Sequence, residues 1–441
     1  MVSIVEASEG NIMFCRIAKH IPSLDLGGIV ALVGSSASAA ALPYTCIIRG
    51  RLPYLNTYVT PGTLGLAYAV LTCINWRPAQ ILAGAGETRS MLELYGLKAS
   101  GTATYVGLKS GTSLQVRGIA GDALVPELVT KGKKRVDAQH AIGRQSGRPT
   151  LVIWADIISD VDGEVVVWNE NGALISVIAT LVSSVAAVLC ALCHEWLSLS
   201  VVVSGMLLNA ALGFLLRQRV YKFVKTQAAQ GSPPGDALVL LNDEPDALCV
   251  VRGSENAIQR LFQRELEETG FTNPLPLFLV CVAMMVYTAV VVLGVPHMGV
   301  TGQILLLIAI FVGAIVDLVK GSWDGKKAIA KAAIDKYEIK TVSVKKFGNR
   351  TAAVACVAAG SSKTDALQRS GVLPATGTAW ESWWGVLNTL VQEGDRQDRS
   401  APPNLVESRY LQLSADPLWP IILDDMLNGY SEACHPQEVD E

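Results

Sequence analysis

The chain has 441 residues, of which 50% are hydrophobic and 17% charged, and a formal net charge of −3; its mean hydropathy is +0.36. Soluble domains carry about 25% charge, and here the deficit is local: no Asp, Glu, Lys or Arg lies between Glu170 and Glu195, between Glu195 and Arg217, or between Glu268 and Asp317. This pattern excludes a purely soluble chain and a disordered one, and the nine scattered cysteines exclude a secreted disulfide scaffold.

Residues 1–25 carry Glu6, Glu9 and Asp25, which makes a poor leader for a signal peptide. Leu26–Ile48 is uncharged but diluted by small residues, as in Gly34-Ser35-Ser36-Ala37-Ser38-Ala39. Small residues weaken partition into lipid yet let helix backbones approach closely, so 26–48 is read as a packed transmembrane helix. The alternatives are a helix buried within the protein and a cleaved signal sequence ending near Ala37-Ser38-Ala39.

Residues 49–172 read as α+β. Thr102–Lys109 and Thr112–Gly118 flank Ser110-Gly111 as a hairpin, and Thr150–Ile157 and Glu164–Trp168 flank a polar turn. Lys131, Lys133, Lys134 and Arg135 form the one dense basic run, read as a solvated loop or as a contact for anionic lipid headgroups. The turn Asp160-Val161-Asp162-Gly163-Glu164 lacks the carboxylates of a calcium loop at its first and last ligand positions.

A bilayer core of roughly 30 Å needs about 20 apolar residues. Ala173–Cys193 and Leu197–Leu216 meet that length within 173–216, and Leu275–Val295 and Gly299–Val319 within 275–319. Each pair is joined by three residues, His194-Glu195-Trp196 and Pro296-His297-Met298, so each returns to the side it left. Arg217, Arg219, Lys222 and Lys225 follow the first hairpin and Lys320, Lys326, Lys327 and Lys331 the second, while neither tip carries Lys or Arg. By the positive-inside rule the long flanks and the C-terminus are cytoplasmic.

In 217–274, Ala237–Leu241 and Ala247–Val251 read as short strands. A helix follows from Ser254 as N-cap to Glu268, with Gly270 closing it. In 320–370, Lys326–Tyr337 is expected to be helical, and Ile339–Phe347 and Thr351–Ala358 to pair about Gly348-Asn349. No piece is long enough to bury a core alone, so 49–172, 217–274 and 320–370 are read as one composite domain. Residues 371–441 form an acidic C-terminal segment: 381–441 hold 12 acidic and 3 basic side chains. Within it Trp380–Gln392 has the pattern of an amphipathic helix behind a Thr378–Glu381 capping box. Docking of that helix on the protein's own basic surface is expected in preference to anionic lipid.

Candidate chemistry is sparse. Cys190-Ala191-Leu192-Cys193-His194 matches a haem-attachment string but closes an apolar helix. Cys193, His194, Glu195 and His297 would place borderline and soft ligands at the hairpin tips, a set suited to zinc or copper; polar turns at an interface explain the same residues. Within the spans, Asp317 is the only carboxylate, expected to snorkel or pair locally with Lys320, and Asn209 is placed to hydrogen-bond between helices. That scarcity weighs against proton-coupled transport. Asn349-Arg350-Thr351 is a sequon expected to be silent. No phosphate loop, serine-hydrolase elbow or zinc-protease motif occurs, and no motif carries a resemblance to a known family.

The expected fold class is therefore an α-helical multi-pass membrane protein, with 4–5 transmembrane helices in two tight hairpins plus one N-terminal span, and a composite cytoplasmic α+β domain. The expected role is a membrane scaffold or sensor acting through that domain. The alternative is an oligomeric channel or transporter subunit, and a membrane-bound enzyme ranks third. No cofactor is expected. The expected partners are the lipid bilayer, anionic headgroups, and a second copy or another protein through the cytoplasmic domain; nucleic acid is not among them.

Overall fold

Two hydrophobic patterns alternate along the chain, long uncharged runs and short period-two strands, and they separate in space. A computed structural model describes residues 35–47, 57–136, 140–146, 148–159, 172–218, 220–223, 228, 230–233, 235–269, 273–361, 363–394 and 418–434. The first half holds α1 (Ser35–Ile47), α2 (Thr63–Leu71), α3 (Arg77–Ala83), α4 (Met91–Leu94), β1 (Ala103–Gly107), β2 (Ser113–Gln115), α5 (Ile119–Val136), β3 (Thr150–Ile157), α6 (Gly172–Leu192) and α7 (Trp196–Arg217). Then come β4 (Val220–Phe223), β5 (Gly235–Leu241), β6 (Ala247–Gly253), α8 (Glu255–Phe262), β7 (Leu266–Thr269), α9 (Leu275–Gly294) and α10 (Val300–Gly321). The chain continues through α11 (Gly325–Tyr337), β8 (Ile339–Phe347), α12 (Arg350–Ser361), α13 (Asp365–Arg369), α14 (Thr378–Gly394) and α15 (Trp419–Cys434). Contacts divide these elements into two units: Met1–Leu97, Val166–Tyr221 and Glu268–Gly325 make one, and Lys98–Val165, Lys222–Glu267 and Lys326–Glu441 the other.

The helix unit contains four helices long and apolar enough to cross a membrane, Ile175–Leu192, Trp196–Arg217, Leu275–His297 and Val300–Gly321. They match the four expected spans closely. Their outer faces are apolar and uncovered: Leu207 and Phe311 are each 65% exposed. Of 26–48, helix α1 covers the described part; residues 26–34 and 48 lie outside the described residues. Residues 57–97, expected in the composite domain, fall in this unit instead.

The sheet unit is built on a six-stranded mixed sheet of order β2-β1-β5-β6-β3-β8. The β1–β2 and β5–β6 pairs are antiparallel hairpins, as expected, although β2 is shorter than the Thr112–Gly118 run. Strand β3 runs parallel to β6 and antiparallel to β8; its expected partner Glu164–Trp168 lies outside the described residues. β4 and β7 form a separate two-stranded sheet. Val106, Val152, Trp154, Leu238 and Val250 alternate onto one sheet face, where α12, α14 and α15 bury them. Tyr105 stacks at 6.1 Å on Phe262 of α8.

Three expectations fail here for identifiable reasons. Thr351–Ala358 is not a strand paired with Ile339–Phe347 but lies within helix α12. Its run Ala352-Ala353-Val354-Ala355-Cys356-Val357-Ala358 fits either period, and alanine favours the helix; Asn349, read as a turn residue, accepts the Ala352 N–H at 2.9 Å and acts as its N-cap. The helix from Ser254 is capped as expected, the side chain accepting from Ala257 N–H, but ends at Phe262, and Leu266–Thr269 is strand β7. The basic run is no loop: Lys133, Lys134 and Arg135 occupy the last turn of α5, where cations favour the helix dipole.

The Trp-rich helix forms as α14 and docks through apolar packing rather than charge. Trp383 is wholly buried, its indole N–H donates to the Ile422 carbonyl at 2.9 Å, and Trp384 meets it edge-on at 4.8 Å. It is part of the sheet unit's core, not an appended tail. Asn349 of the sequon is itself buried, donating to the Arg144 carbonyl and to Asp425.

Candidate functional site

The described residues between α1 and α2 run through the helix unit without regular structure. Residues 57–62 are non-helical, yet Tyr58 and Val59 are each only 1% exposed. A Cβ on Gly313 would stand 2.1 Å from the Val59 carbonyl oxygen, so only glycine lets this backbone cross α10. Gly313 sits about 12 Å from the C-terminal end of α10 at 1.5 Å per residue; the segment therefore cuts well into the bundle.

Buried backbone outside a helix must find partners, and side chains from several helices supply them. Asn209 of α7 donates to the Tyr58 carbonyl at 2.9 Å, Val59 N–H donates to Ser183 Oγ of α6 at 3.4 Å, and Ser38 Oγ of α1 lies within hydrogen-bond distance of the Pro61 carbonyl at 2.8 Å. Thr57 and Thr63 reach Thr180 and Thr288 at 2.9 and 2.7 Å. Because Thr180 and Thr288 already donate to carbonyls of their own helices, Thr57 and Thr63 are the donors in those pairs. Gly62 then adopts φ 65° and opens α2.

This segment brings together the charges of α10. Asp317, 2% exposed, does not snorkel, and its contacts reach beyond its neighbour Lys320: Tyr58 O–H donates to its Oδ1 at 2.6 Å and Ser38 Oγ lies 2.7 Å from its Oδ2. Lys320, one turn on and 3% exposed, donates from Nζ to Tyr58 Oη at 3.1 Å. Its ammonium also lies 4.9 Å from the Tyr58 ring centroid and 5.8 Å from that of Tyr44. Beside the carboxylate is a cavity of about 10 Å³ whose polar lining is Ser38, Thr60, Asn209 and Asp317, space for about one water. A second, of about 20 Å³, is lined by Thr60, Thr63, Tyr287 and Thr288. Thr60 borders both, and among the described residues its buried hydroxyl has no hydrogen-bond partner.

Asp317 and Asn209 were visible as intramembrane polar residues. Tyr58, Ser38 and Thr60 were not, and Lys320 was read as a topology signal and as a local partner of Asp317. The available signal was Pro61-Gly62 interrupting an apolar stretch before Thr63–Leu71.

The other candidates stay apart from this site. The two tips adjoin each other, since Glu195 Oε2 accepts the Gly299 N–H at 3.2 Å and a Cβ on Gly299 would stand 1.9 Å from the Glu195 carboxylate. Cys193 is half-buried, His194 holds a left-handed φ of 60° and His297 is exposed; among the described residues no three His, Cys, Asp or Glu side chains converge as a metal set. In the sheet unit, Lys131 pairs with Glu127 at 3.7 Å and Lys133 with Glu244 at 2.9 Å, while Lys134 and Arg135 face solvent. Compared with known proteins, the chain matches no family model, no curated protein and no solved structure.

Proposed function

We propose that this is a multi-pass integral membrane protein whose helix unit moves a small cation, as a transporter or channel subunit, with the sheet unit on the cytoplasmic side. One observation carries the reading: Asp317 and Lys320, at the C-terminal end of the apolar helix α10, are buried together against the non-helical segment 57–62. Ionisable groups buried inside a spanning bundle are costly and mark ion pathways by default, and broken backbone is tolerated there where it is enclosed by protein or lines a cavity. Adjoining tips without Lys or Arg, opposite basic flanks, support the orientation.

In liposomes, the full-length wild type should dissipate an imposed cation gradient, and Asp317→Asn should not. A wild type that passes no cation returns the scaffold or sensor reading, which the separately cored sheet unit favours; a protein partner, a second copy, or anionic lipid at Lys134 and Arg135 would then be its targets. Sidedness is tested by impermeant thiol labelling of single cysteines at His297 and Asp243, both exposed positions. Label should reach position 297 from outside and miss position 243; the reverse pattern overturns the orientation.

A further inference from the structure

We infer that the cation is a proton, and that Tyr58 relays it between Lys320 and Asp317. The inference rests on the cation-moving reading above and specifies its chemistry.

The three groups stand in one line of hydrogen bonds. Lys320 Nζ donates to Tyr58 Oη at 3.1 Å, and Tyr58 Oη donates to Asp317 Oδ1 at 2.6 Å. A hydroxyl that accepts from a cation while donating to a carboxylate can pass a proton by exchange. The Tyr58 O–H bond breaks as its proton joins Asp317 Oδ1, and a Lys320 N–H bond breaks as its proton replaces the one Tyr58 gave up. An ammonium–carboxylate pair becomes an amine–carboxylic acid pair, Tyr58 ends unchanged, and no net charge appears in the bundle. That last property matters where an isolated charge is expensive.

The same geometry disfavours a metal cation. Asp317 Oδ1 already accepts from Tyr58 and Oδ2 is packed against Ser38 Oγ at 2.7 Å, an ammonium sits one helical turn away, and the adjoining cavity of about 10 Å³ admits no hydrated ion. A proton needs neither a free lone-pair cage nor space.

Ser38 gives the relay an outlet. Its Oγ lies 2.7 Å from Asp317 Oδ2 and 2.8 Å from the Pro61 carbonyl, but a hydroxyl has one proton and a carbonyl only accepts. Ser38 can therefore satisfy one of the two while Asp317 is ionised, and both once the carboxylic acid formed at Oδ1 turns over about its Cβ–Cγ bond, so that the protonated oxygen faces Ser38 and donates to it. From there the first cavity, the unpartnered Thr60 hydroxyl and the second cavity continue through the 57–62 segment. Water in these cavities would accept the proton from Asp317, and reprotonation of Lys320 from its own end of α10 completes one passage.

The test uses full-length protein in liposomes holding a pH-sensitive dye, with proton flux and radioactive sodium uptake measured in parallel. Wild type should carry protons and no sodium, and Tyr58→Phe, which keeps the ring and removes the hydroxyl, should cut proton flux roughly a hundredfold, the usual scale of a positioned proton-transfer group. Tyr58→Phe with wild-type flux, or wild type carrying sodium in place of protons, overturns the relay while leaving cation movement standing. Absence of any flux from wild type defeats the broader reading itself. Should Tyr58→Phe not fold, infrared difference spectra of wild type across a pH jump decide the matter: a carboxylic-acid band that Asp317→Asn removes is expected, and its absence refutes proton storage on Asp317.

Discussion

In the helix unit, large apolar side chains such as Leu207 and Phe311 point outward while Ser38, Tyr58, Asn209, Asp317 and Lys320 meet inside. The sheet unit reverses this: Val152, Leu238, Trp383 and the alanines of α12 fill the interior, and the charges of α5 lie outside. The contrast shows where each unit is specified. Water drives the sheet unit to bury apolar area, so its interior is set by packing. The helix unit keeps an apolar cluster of its own around Val202, Val291 and Leu306, but hydrogen bonding and close backbone approach at 57–62 add to it inside.

Substitutions can break or sharpen that comparison. The largest effect is expected at Trp383→Ala in the sheet unit, about 3–5 kcal/mol of lost stability, read as a lower melting temperature of the full chain; a change under about 1 kcal/mol would mean that α14 is not a core element. Asp317→Leu should cost about as much, roughly 3–5 kcal/mol, by leaving Lys320 without its relay partner. Here the units should diverge. Adding Lys320→Met to Asp317→Leu should restore most of the lost stability, because replacing both members of a buried charged set by apolar groups is often neutral, while cation flux stays lost. No recovery in the double variant would show that packing, not charge, dominates this interior too.

Gly313→Ala should follow, at about 1–3 kcal/mol, the usual scale of overpacking, since its methyl would collide with the Val59 carbonyl. Thermal unfolding in detergent and the flux assay should fall together; unaltered flux would place segment 57–62 outside the pathway.

The smallest effect concerns pH in the sheet unit. Burial raises the Asp425 carboxyl above its ordinary value of 3.8, helped by neighbouring Asp424 and opposed by the Asn349 hydrogen bond and Arg144. Folding thus favours the protonated acid, so this contribution is complete below the unfolded-state value and is lost as pH rises through the folded one. Asp425→Asn keeps an acceptor for Asn349 and should remove that acid-range slope, with a slightly higher melting temperature at neutral pH. A wild-type slope of the opposite sign would contradict it. Burial likewise pushes the Cys249 thiol up to about 12, so thiol reagents should spare it until the sheet unit opens.

The four long helices were legible because length and lack of charge are one-dimensional properties. The β5–β6 strands and α14 were legible because their periods are unambiguous, although α14 already includes Thr378, which was read as its N-cap. Thr351–Ala358 was misread because a run of small and apolar residues without a polar face satisfies both periods, and its choice of helix depends on Asn349 capping and on burial against α15. Asp317 was visible as an anomaly, but its partners lie 259 and 279 residues away in Tyr58 and Ser38, and no local pattern encodes such a meeting.

The sequence alone thus determined which segments are apolar enough to span a membrane, where the hairpins turn, and which few residues are out of place among them. Only the tertiary structure decided that Pro61-Gly62 carries backbone into the bundle, that Gly313 admits it, and that Tyr58 joins Lys320 to Asp317. The reason is physical: hydropathy acts residue by residue and can be summed along the chain, whereas a hydrogen-bonded relay exists only when groups from distant segments are brought within about 3 Å.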